Sequence, residues 1–294
     1  MTGAWGIPCA GFFVGSRGIS ADDFRVPSRL PNQRPTDSHP RARARLLTTL
    51  LVLLPACRVY PGSQAPVTPQ RPTFSADTRT ASPGTLEQET GFTIDPGDRF
   101  FTPTTLRYGS GPATEVFLGF SPFNYVSNPT TPSEVGFGDI VFGVRHRLRD
   151  EGPRSAWAVQ STTKLPTASD AKGLGTGELD ALFAAINSTA FGDLAVTAYY
   201  ELGILGNSGS GVDLGYSVAL AGDYPLNEQF SAFAEVAATI IPEQDDTQLF
   251  TILGAAFHHS PSLSLDVSIL VGVDDAPDFG ILIGVTQNIG QPLW

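Results

Sequence analysis

The sequence predicts an all-β protein, a transmembrane antiparallel up-and-down β-barrel of about 12 strands with a disordered N-terminal extension. From about Gly84 onward, segments of roughly ten residues alternate apolar and polar side chains. The connections between these segments alternate between long and short. No apolar run reaches the roughly twenty residues that a membrane-spanning helix needs, so a membrane crossing by this chain would use strands.

Each predicted strand follows from its own alternation of apolar and polar residues. Near the C-terminus, Leu263, Leu265 and Val267 point to one face, whereas Ser264 and Asp266 point to the other. A period of two indicates a strand with one apolar and one polar face. The same pattern predicts strands at 84–95, 104–109, 114–125, 134–149, 154–165, 176–189, 191–204, 211–224, 229–241, 247–259, 262–272 and 277–288.

The lengths of the connections are a second, independent observation. Links after even-numbered strands are tight, as at 110–113, 150–153 and 260–261, and most links after odd-numbered strands are longer, as at 96–103 and 126–133. Short periplasmic turns, longer outer loops and an even strand count are typical of bacterial outer-membrane barrels. The predicted location is therefore the outer membrane of a Gram-negative-type bacterium, with the apolar faces against its lipid. A soluble β-sandwich also has short alternating strands and is the alternative fold.

The composition excludes several classes of function. Charged residues are only 16% of the chain, and 31 glycines and 19 phenylalanines suit a barrel with aromatic girdles. After residue 58 the chain has ten Lys and Arg against 26 Asp and Glu, which argues against a nucleic-acid partner. Cys9 and Cys57 both precede the barrel, so they predict neither a disulfide framework nor a thiolate metal site. We expect no metal and no cofactor.

The N-terminal region has the features of a secretion signal. Three arginines between residues 41 and 45 precede the apolar stretch Leu46–Ala56, which is too short to span a membrane. The sequence ending at Cys57 resembles a lipoprotein lipobox, and cleavage after Ala65 is the alternative. We therefore divide the chain into an extension with signal sequence (1–57), a flexible linker rich in Pro, Ser and Thr (58–83) and the barrel (84–294).

Charged residues on the polar strand faces are the candidate lining of a lumen. Basic residues fall on predicted strands two to five and acidic residues mainly on strands six to eleven, which predicts a basic wall opposite an acidic wall. The candidate lumen residues are Arg107, Glu115, Asp139, Arg145, Arg147, Lys164, Glu178, Asp180, Asp193, Glu201, Asp213, Glu235 and Asp266. Because unpaired buried charges are costly, one interpretation is a packed network of ion pairs that fills the lumen. The other is a water-filled channel whose acidic excess concentrates cations.

Two further motifs have catalytic or binding counterparts in other proteins. Glycines at 173, 175 and 177 could form a phosphate-binding loop, but a strand follows them instead of the helix that this use requires. His258 and Ser260 have the spacing of a base and a nucleophile, but no Glu lies near Ser260 in the sequence and no triad can be assembled. We therefore expect no enzyme activity and no catalytic residues, with an outer-membrane lipid-modifying enzyme as an alternative.

Several strings resemble those of a known bacterial family. They are Thr105–Gly109, Gly136–Asp139, Lys164–Thr167 and Gly173–Asp180, in this order. In them the chain resembles outer-membrane transporters described as putative proteins of a phenol-degradation meta pathway. The resemblance implies a channel or transporter for small molecules, including aromatic or hydrophobic compounds. A non-conducting structural barrel is the other alternative.

The last residue also has a counterpart in known barrels. Trp294 resembles the terminal aromatic residue by which outer-membrane strands engage the barrel assembly machinery, although Pro292 interrupts the final alternation. The resemblance therefore implies this machinery as a partner, in addition to outer-membrane lipid and small-molecule solutes.

Overall fold

The structure is a computed structural model and describes residues 66–71, 73–95, 99–127, 132–150, 154–209, 211–274 and 276–290. Its strands are β1 (Leu86–Asp95), β2 (Arg99–Phe101), β3 (Thr104–Gly111), β4 (Thr114–Phe120), β5 (Asn124–Val126), β6 (Glu134–Gly136), β7 (Ile140–Asp150), β8 (Ser155–Leu165), β9 (Asp180–Phe191), β10 (Leu194–Asn207), β11 (Gly211–Pro225), β12 (Phe230–Ile241), β13 (Asp246–Ser260), β14 (Leu263–Asp274) and β15 (Phe279–Gly290). Within these ranges, single-turn 3-10 helices lie at Asp170–Lys172 and Pro242–Gln244. No helix in these ranges is long and apolar enough to cross a membrane.

Twelve of these strands form a closed antiparallel barrel, which confirms the predicted fold class. The strands β1, β3, β4 and β7 to β15 are successive neighbours, and β15 pairs with β1 to close the sheet. This last pairing runs from Leu86 opposite Gly290 to Ile94 opposite Ile281. Each strand follows its neighbour in the chain, as an up-and-down barrel requires.

The apolar faces of the strands point outward. In β14, Leu265 and Val267 are 42% and 50% exposed, whereas Ser264, Asp266 and Ser268 are buried at 6% or less. Exposed apolar side chains occur on every barrel strand except β3, which gives the barrel an apolar outer surface. Such a surface faces lipid, and the polar side chains face the interior.

The two ends of the barrel differ as predicted. Tight turns join β3 to β4, β9 to β10 and β13 to β14 at one end, which by the outer-membrane rule is periplasmic. At the other end, two predicted strands are interrupted: 114–125 splits into β4 and β5, and 134–149 into β6 and β7. Pro122 lies at the first interruption, where it cannot donate a ladder hydrogen bond. The last residues of β1, Thr93–Asp95, pair with β2. In turn β2 pairs with β5, and β5 with β6, so these three short strands form a small outer extension of the sheet.

The main departure from expectation is residues 66–83, which composition predicts to be part of a flexible linker. The described residues of this stretch lie inside the barrel, with Phe74, Ala76 and Ala81 each 1% exposed. We call residues 66–83 the plug segment. Residues 58–65, the other part of the predicted linker, lie outside the described residues.

Candidate functional site

The plug segment enters and leaves the lumen at the periplasmic end. The Val67 N–H donates to the Pro261 carbonyl in the β13–β14 turn, over 2.8 Å. At the other end of the segment, the Gly84 N–H donates to the Gly109 carbonyl near the β3–β4 turn, over 2.7 Å. Between these points Phe74 reaches the middle of β12, where it contacts Glu235. The segment therefore turns back inside the barrel without crossing to the outer end.

Carboxylates of β1 hold the first part of the plug segment by its backbone. The Thr68 N–H donates to Glu87 Oε2 over 3.1 Å, and the Gln70 N–H donates to Glu89 Oε1 over 2.9 Å. Glu87 and Glu89 are on the inward face of β1 and are almost fully buried. Neither was among the residues predicted to line the lumen, although both lie on the polar face of the first predicted strand.

Two further carboxylates hold the rest of the segment in the same way. Glu235 accepts from the Phe74 N–H over 2.5 Å and from the Ser75 N–H over 2.9 Å, and it also accepts from the Ser75 hydroxyl. On the opposite side, Glu115 accepts from the Ala81 N–H over 2.7 Å. Hydrogen bonds to charged acceptors are about twice as strong as neutral ones. Five backbone N–H groups of this irregular segment, those of residues 68, 70, 74, 75 and 81, are thus satisfied by carboxylates of the wall.

Arg107 forms ion pairs with three of these carboxylates. Its guanidinium lies 2.7 Å from Glu115, 3.0 Å from Glu89 and 3.3 Å from Glu87, and it donates to the Thr68 carbonyl over 2.5 Å. All four side chains of this group are at most 3% exposed. A buried group of like charges is stable only with such a partner, so Arg107 makes the carboxylate contacts with the plug possible.

Arg145 extends this network toward β8. It donates to Gln160 Oε1 over 2.9 Å and to the Arg79 carbonyl of the plug segment over 3.2 Å, and it lies 3.4 Å from Glu115. Its side chain is 1% exposed. The backbone of the plug segment therefore lies directly against Arg145.

Arg71 of the plug segment occupies a notch at the barrel seam. Gly91 of β1 and Gly284 of β15 are paired across the seam, and Asp266 of β14 is paired with Gly284. The Arg71 guanidinium packs against both glycines and lies 4.0 Å from Asp266. A Cβ at Gly91 would lie 2.3 Å from Arg71 Cζ, so a side chain at this position would exclude the guanidinium.

Nearer the outer end, Lys164 and Asp180 form a buried ion pair between β8 and β9. Lys164 also donates to the Thr176 hydroxyl over 2.5 Å, and Asp180 accepts from the Gly206 N–H over 3.0 Å. The two residues are directly paired in the sheet. This pair ties the outer loop before β9 to the wall.

The remaining acidic lumen residues bond to neutral side chains. Glu201 accepts from the Tyr199 hydroxyl over 2.6 Å and from Ser217 over 3.4 Å. Asp213 accepts from Asn207 over 2.7 Å and from Gln244 over 2.8 Å. Both carboxylates are buried on the inward face, as predicted.

Three predicted lumen residues lie outside the strands. Asp193 is exposed in the β9–β10 turn, because β10 begins at Leu194 and the predicted strand begins at residue 191. Glu178 is half-buried in the loop before β9. Asp139 precedes β7 and accepts from the N–H groups of residues 167 and 168, so it organises an outer loop. Arg147 is half-buried on the inward face of β7, as predicted, near its periplasmic end.

The buried basic residues of the barrel strands lie on β3, β7 and β8 and many of the buried acidic residues on β10 to β14, but the ion pairs do not join these two groups directly across the lumen. Arg107 and Lys164 bind carboxylates on neighbouring strands, and Arg71 of the plug segment faces Asp266 on β14. Charges are thus paired locally and through the plug. This arrangement resembles the ion-pair network of the first interpretation, with the plug segment as an additional component that we did not predict.

Besides these carboxylates, the inward face of β8 to β15 carries a buried apolar cluster. Four of its residues are directly paired across neighbouring strands and form one row. They are Phe250 on β13, Ala237 on β12, Ala219 on β11 and Tyr199 on β10. The Phe74 ring lies between the two aromatic rings, with centroid distances of 5.4 Å to Phe250 and 6.1 Å to Tyr199. The buried apolar cluster around it contains Phe74, Ala76, Ala158, Ala184, Ile186, Tyr199, Ala219, Phe233, Ala237, Phe250, Ile252, Leu270 and Leu282.

The candidate base and nucleophile do not contact each other. His258 hydrogen-bonds through Nε2 to the Ser231 hydroxyl at 3.3 Å and through Nδ1 to the Ser264 hydroxyl at 3.2 Å. Ser260 is instead 3.4 Å from the Ser262 hydroxyl. The spacing of His258 and Ser260 therefore does not produce a catalytic pair in this structure.

Three sequence-based interpretations lie outside the described residues. They are the signal sequence, the lipidation candidate Cys57 and the assembly signal at Trp294. Each stays a prediction, as does the engagement of the barrel assembly machinery.

Comparison with solved structures supports the barrel architecture. An outer-membrane channel from Pseudomonas putida F1 superposes with a TM-score of 0.58 at 15% identity, over 79% of this chain and 100% of that chain. The NanC porin superposes with a TM-score of 0.51 at 10% identity, over 69% of this chain and 98% of that chain. No family model matches the sequence, and no curated protein is significantly similar to it.

These likenesses show the fold. The chain is an outer-membrane β-barrel of the Gram-negative type, with an apolar surface toward the lipid. The narrower resemblance to phenol-pathway transporters stays a prediction.

Proposed function

We propose that this protein is an outer-membrane channel for small apolar or aromatic molecules, closed at rest by its plug segment. The observation that carries the proposal is the two-sided lumen. Ion pairs centred on Arg107 line one side, whereas the side formed by β8 to β15 has an apolar cluster around Phe74. Channels for hydrophilic solutes have polar interiors, so an apolar cluster on the inner face favours solutes with apolar surface.

The fold comparison supports the channel part of this proposal. The two solved structures described above are named as a channel and a porin, and both superpose over nearly their whole length. The chemistry of the solute is inferred from the lumen of this chain alone. The His258–Ser260 spacing does not support a lipid-modifying activity, because His258 bonds to Ser231 and Ser264 instead of Ser260.

The proposal can be tested by replacing residues 67–82 with a Gly/Ser linker of equal length. The wild-type protein in planar bilayers should give rare, small conductance steps, because the plug segment fills the lumen. The linker variant should conduct in large, frequent steps. A matched control, with the exposed outer residue Glu243 changed to Gln, should behave as the wild type. A linker variant that folds and stays silent would favour the non-conducting structural barrel.

Solute preference requires a separate measurement. In liposomes with a lipopolysaccharide outer leaflet, the linker variant should admit toluene faster than a sugar of similar size. The ionic current should favour cations at low salt, since Glu201, Asp213, Glu235 and Asp266 lie in a stretch without any Lys or Arg after Lys172. Raising the salt from 0.1 to 1 M shortens the Debye length from about 10 to about 3 Å and should weaken this selectivity. Anion preference at low salt would contradict the assignment of these carboxylates to the passage.

A further inference from the structure

The apolar cluster of the lumen contains a recess that fits one phenyl ring. Its two ends are the rings of Tyr199 and Phe250, and the residues between them in the cross-strand row are Ala219 and Ala237. Neighbouring strands are about 4.8 Å apart, so three strand spacings separate the two aromatic residues. Two alanines in the middle of this row leave space that larger side chains would fill. We call these four residues the aromatic recess.

Phe74 is bound in this recess by ring contacts with a defined geometry. Its ring is nearly perpendicular to both neighbours, at 81° to Tyr199 and 78° to Phe250. Edge-to-face contacts at centroid distances of 4.5–7 Å are the arrangement that aromatic pairs prefer. The site therefore contacts an aromatic ring from two sides. These ring contacts add to the stabilisation that any apolar group gains by leaving water.

We propose that the aromatic recess is a binding site for an uncharged single-ring aromatic molecule, and that Phe74 fills it in the absence of that molecule. This inference rests on the proposed channel function and adds the position and chemistry of its solute site. A solute ring that enters the recess must displace the Phe74 ring.

Displacement of the ring would also weaken the attachment of the plug segment. The Phe74 and Ser75 N–H groups donate to Glu235, which lies two residues from Ala237 on the same inward face of β12. When the Phe74 ring leaves the recess, the backbone at Phe74 and Ser75 has to move, and this movement strains its hydrogen bonds to Glu235. Aromatic solutes therefore compete with the contact that closes the lumen, and their concentration controls the opening of the channel.

The test uses full-length protein in lipid nanodiscs, with 4-fluorophenylalanine at position 74 and toluene as the probe. Toluene should shift the fluorine resonance of residue 74 saturably as the ring leaves the recess. The matched control carries the label at Phe230, whose side chain faces lipid. The centroid of its ring lies 5.0 Å from that of Phe257. Toluene that merely partitions into lipid would shift the control label without saturation. Equal, non-saturating shifts at both positions would overturn the proposal.

A second measurement tests the vacated site. Phe74→Ala removes the internal competitor, and apolar cavities of about 150 Å³ are known to stay dry and bind benzene. We expect this variant to bind radiolabelled toluene at least about tenfold more tightly than the wild type, after subtraction of binding to empty nanodiscs. Toluene should also bind about tenfold more tightly than methylcyclohexane, because only toluene makes edge-to-face contacts. Equal affinity for the two molecules, or no gain over the wild type, would contradict an aromatic site.

These results separate the site from the channel. Saturable toluene binding with a silent Gly/Ser linker variant would retain the recess and reject the channel. Conductance in the linker variant without saturable toluene binding would retain the channel and reject the recess. If Phe74→Ala fails to fold, the fluorine titration of the folded protein decides the question.

Discussion

Replacing Glu235 by Gln should release the plug segment from the barrel wall. Glu235 accepts hydrogen bonds from the Phe74 and Ser75 N–H groups, at 2.5 and 2.9 Å, and from the Ser75 hydroxyl. An amide has one acceptor oxygen, and its NH2 group would face an N–H donor. Hydrogen bonds to charged groups contribute about 1.5–3 kcal/mol each, so we expect the docking free energy to fall by about 2–4 kcal/mol. At 1.36 kcal/mol per tenfold, the undocked fraction should rise about 30- to 900-fold.

Chemical labelling of a buried position measures this change. Ala76 is 1% exposed, so a cysteine at position 76, with Cys9 and Cys57 changed to Ser, reacts only when the plug segment leaves the lumen. The maleimide reaction rate should rise with the undocked fraction in Glu235→Gln. The matched control is Glu201→Gln, which alters a buried lumen carboxylate that bonds to Tyr199 and Ser217 of the wall. Equal rates in the two variants would refute the view that Glu235 retains the plug.

Three further predictions address the lipid face, the outer ion pair and the seam. Val267→Arg places a charge on the lipid face and should lower the free energy of unfolding in lipid by about 2–4 kcal/mol. Urea titration measures this change, with Val267→Leu as the control. Equal stability of the two variants would contradict the assigned lipid face. Lys164→Met leaves the buried Asp180 carboxylate without its partner and should cost about 3–5 kcal/mol in the same titration. Adding Asp180→Asn should restore part of this loss, and no recovery would argue against the ion pair. Gly91→Ala should displace Arg71 and accelerate labelling at position 76, whereas an unchanged rate would show that the notch does not retain the plug.

The barrel could be predicted because its determinants are local and repetitive. Each long strand has a period-two pattern, and the alternation of Ser264, Leu265, Asp266 and Val267 corresponds residue by residue to the observed faces. The ends of the strands were less certain, since a shift of one residue moves a side chain from the wall into a turn. Asp193 is such a case, and it is exposed for this reason.

The plug segment could not be predicted because it has no periodicity and its contacts are not local. Its Pro, Ser and Thr content is that of a flexible linker, and its backbone N–H groups bond to carboxylates on β1, β4 and β12. An indirect indication was available in the sequence. The strands after Lys172 have inward carboxylates and no Lys or Arg, so a barrel with a packed interior needs donors from elsewhere in the chain.

The position of the plug segment in the chain also determines when it can dock. Residues 66–83 are synthesised before every strand, yet Phe74 bonds to Glu235, which follows it by 161 residues. Contacts of such long sequence separation form late, because the loop-closure entropy must be overcome before they contribute. The carboxylate of β12 therefore stays hydrated while the sheet is incomplete. Docking of the plug segment therefore has to wait for β12, and protection of residue 76 from maleimide reports that this distant part of the sheet is in place.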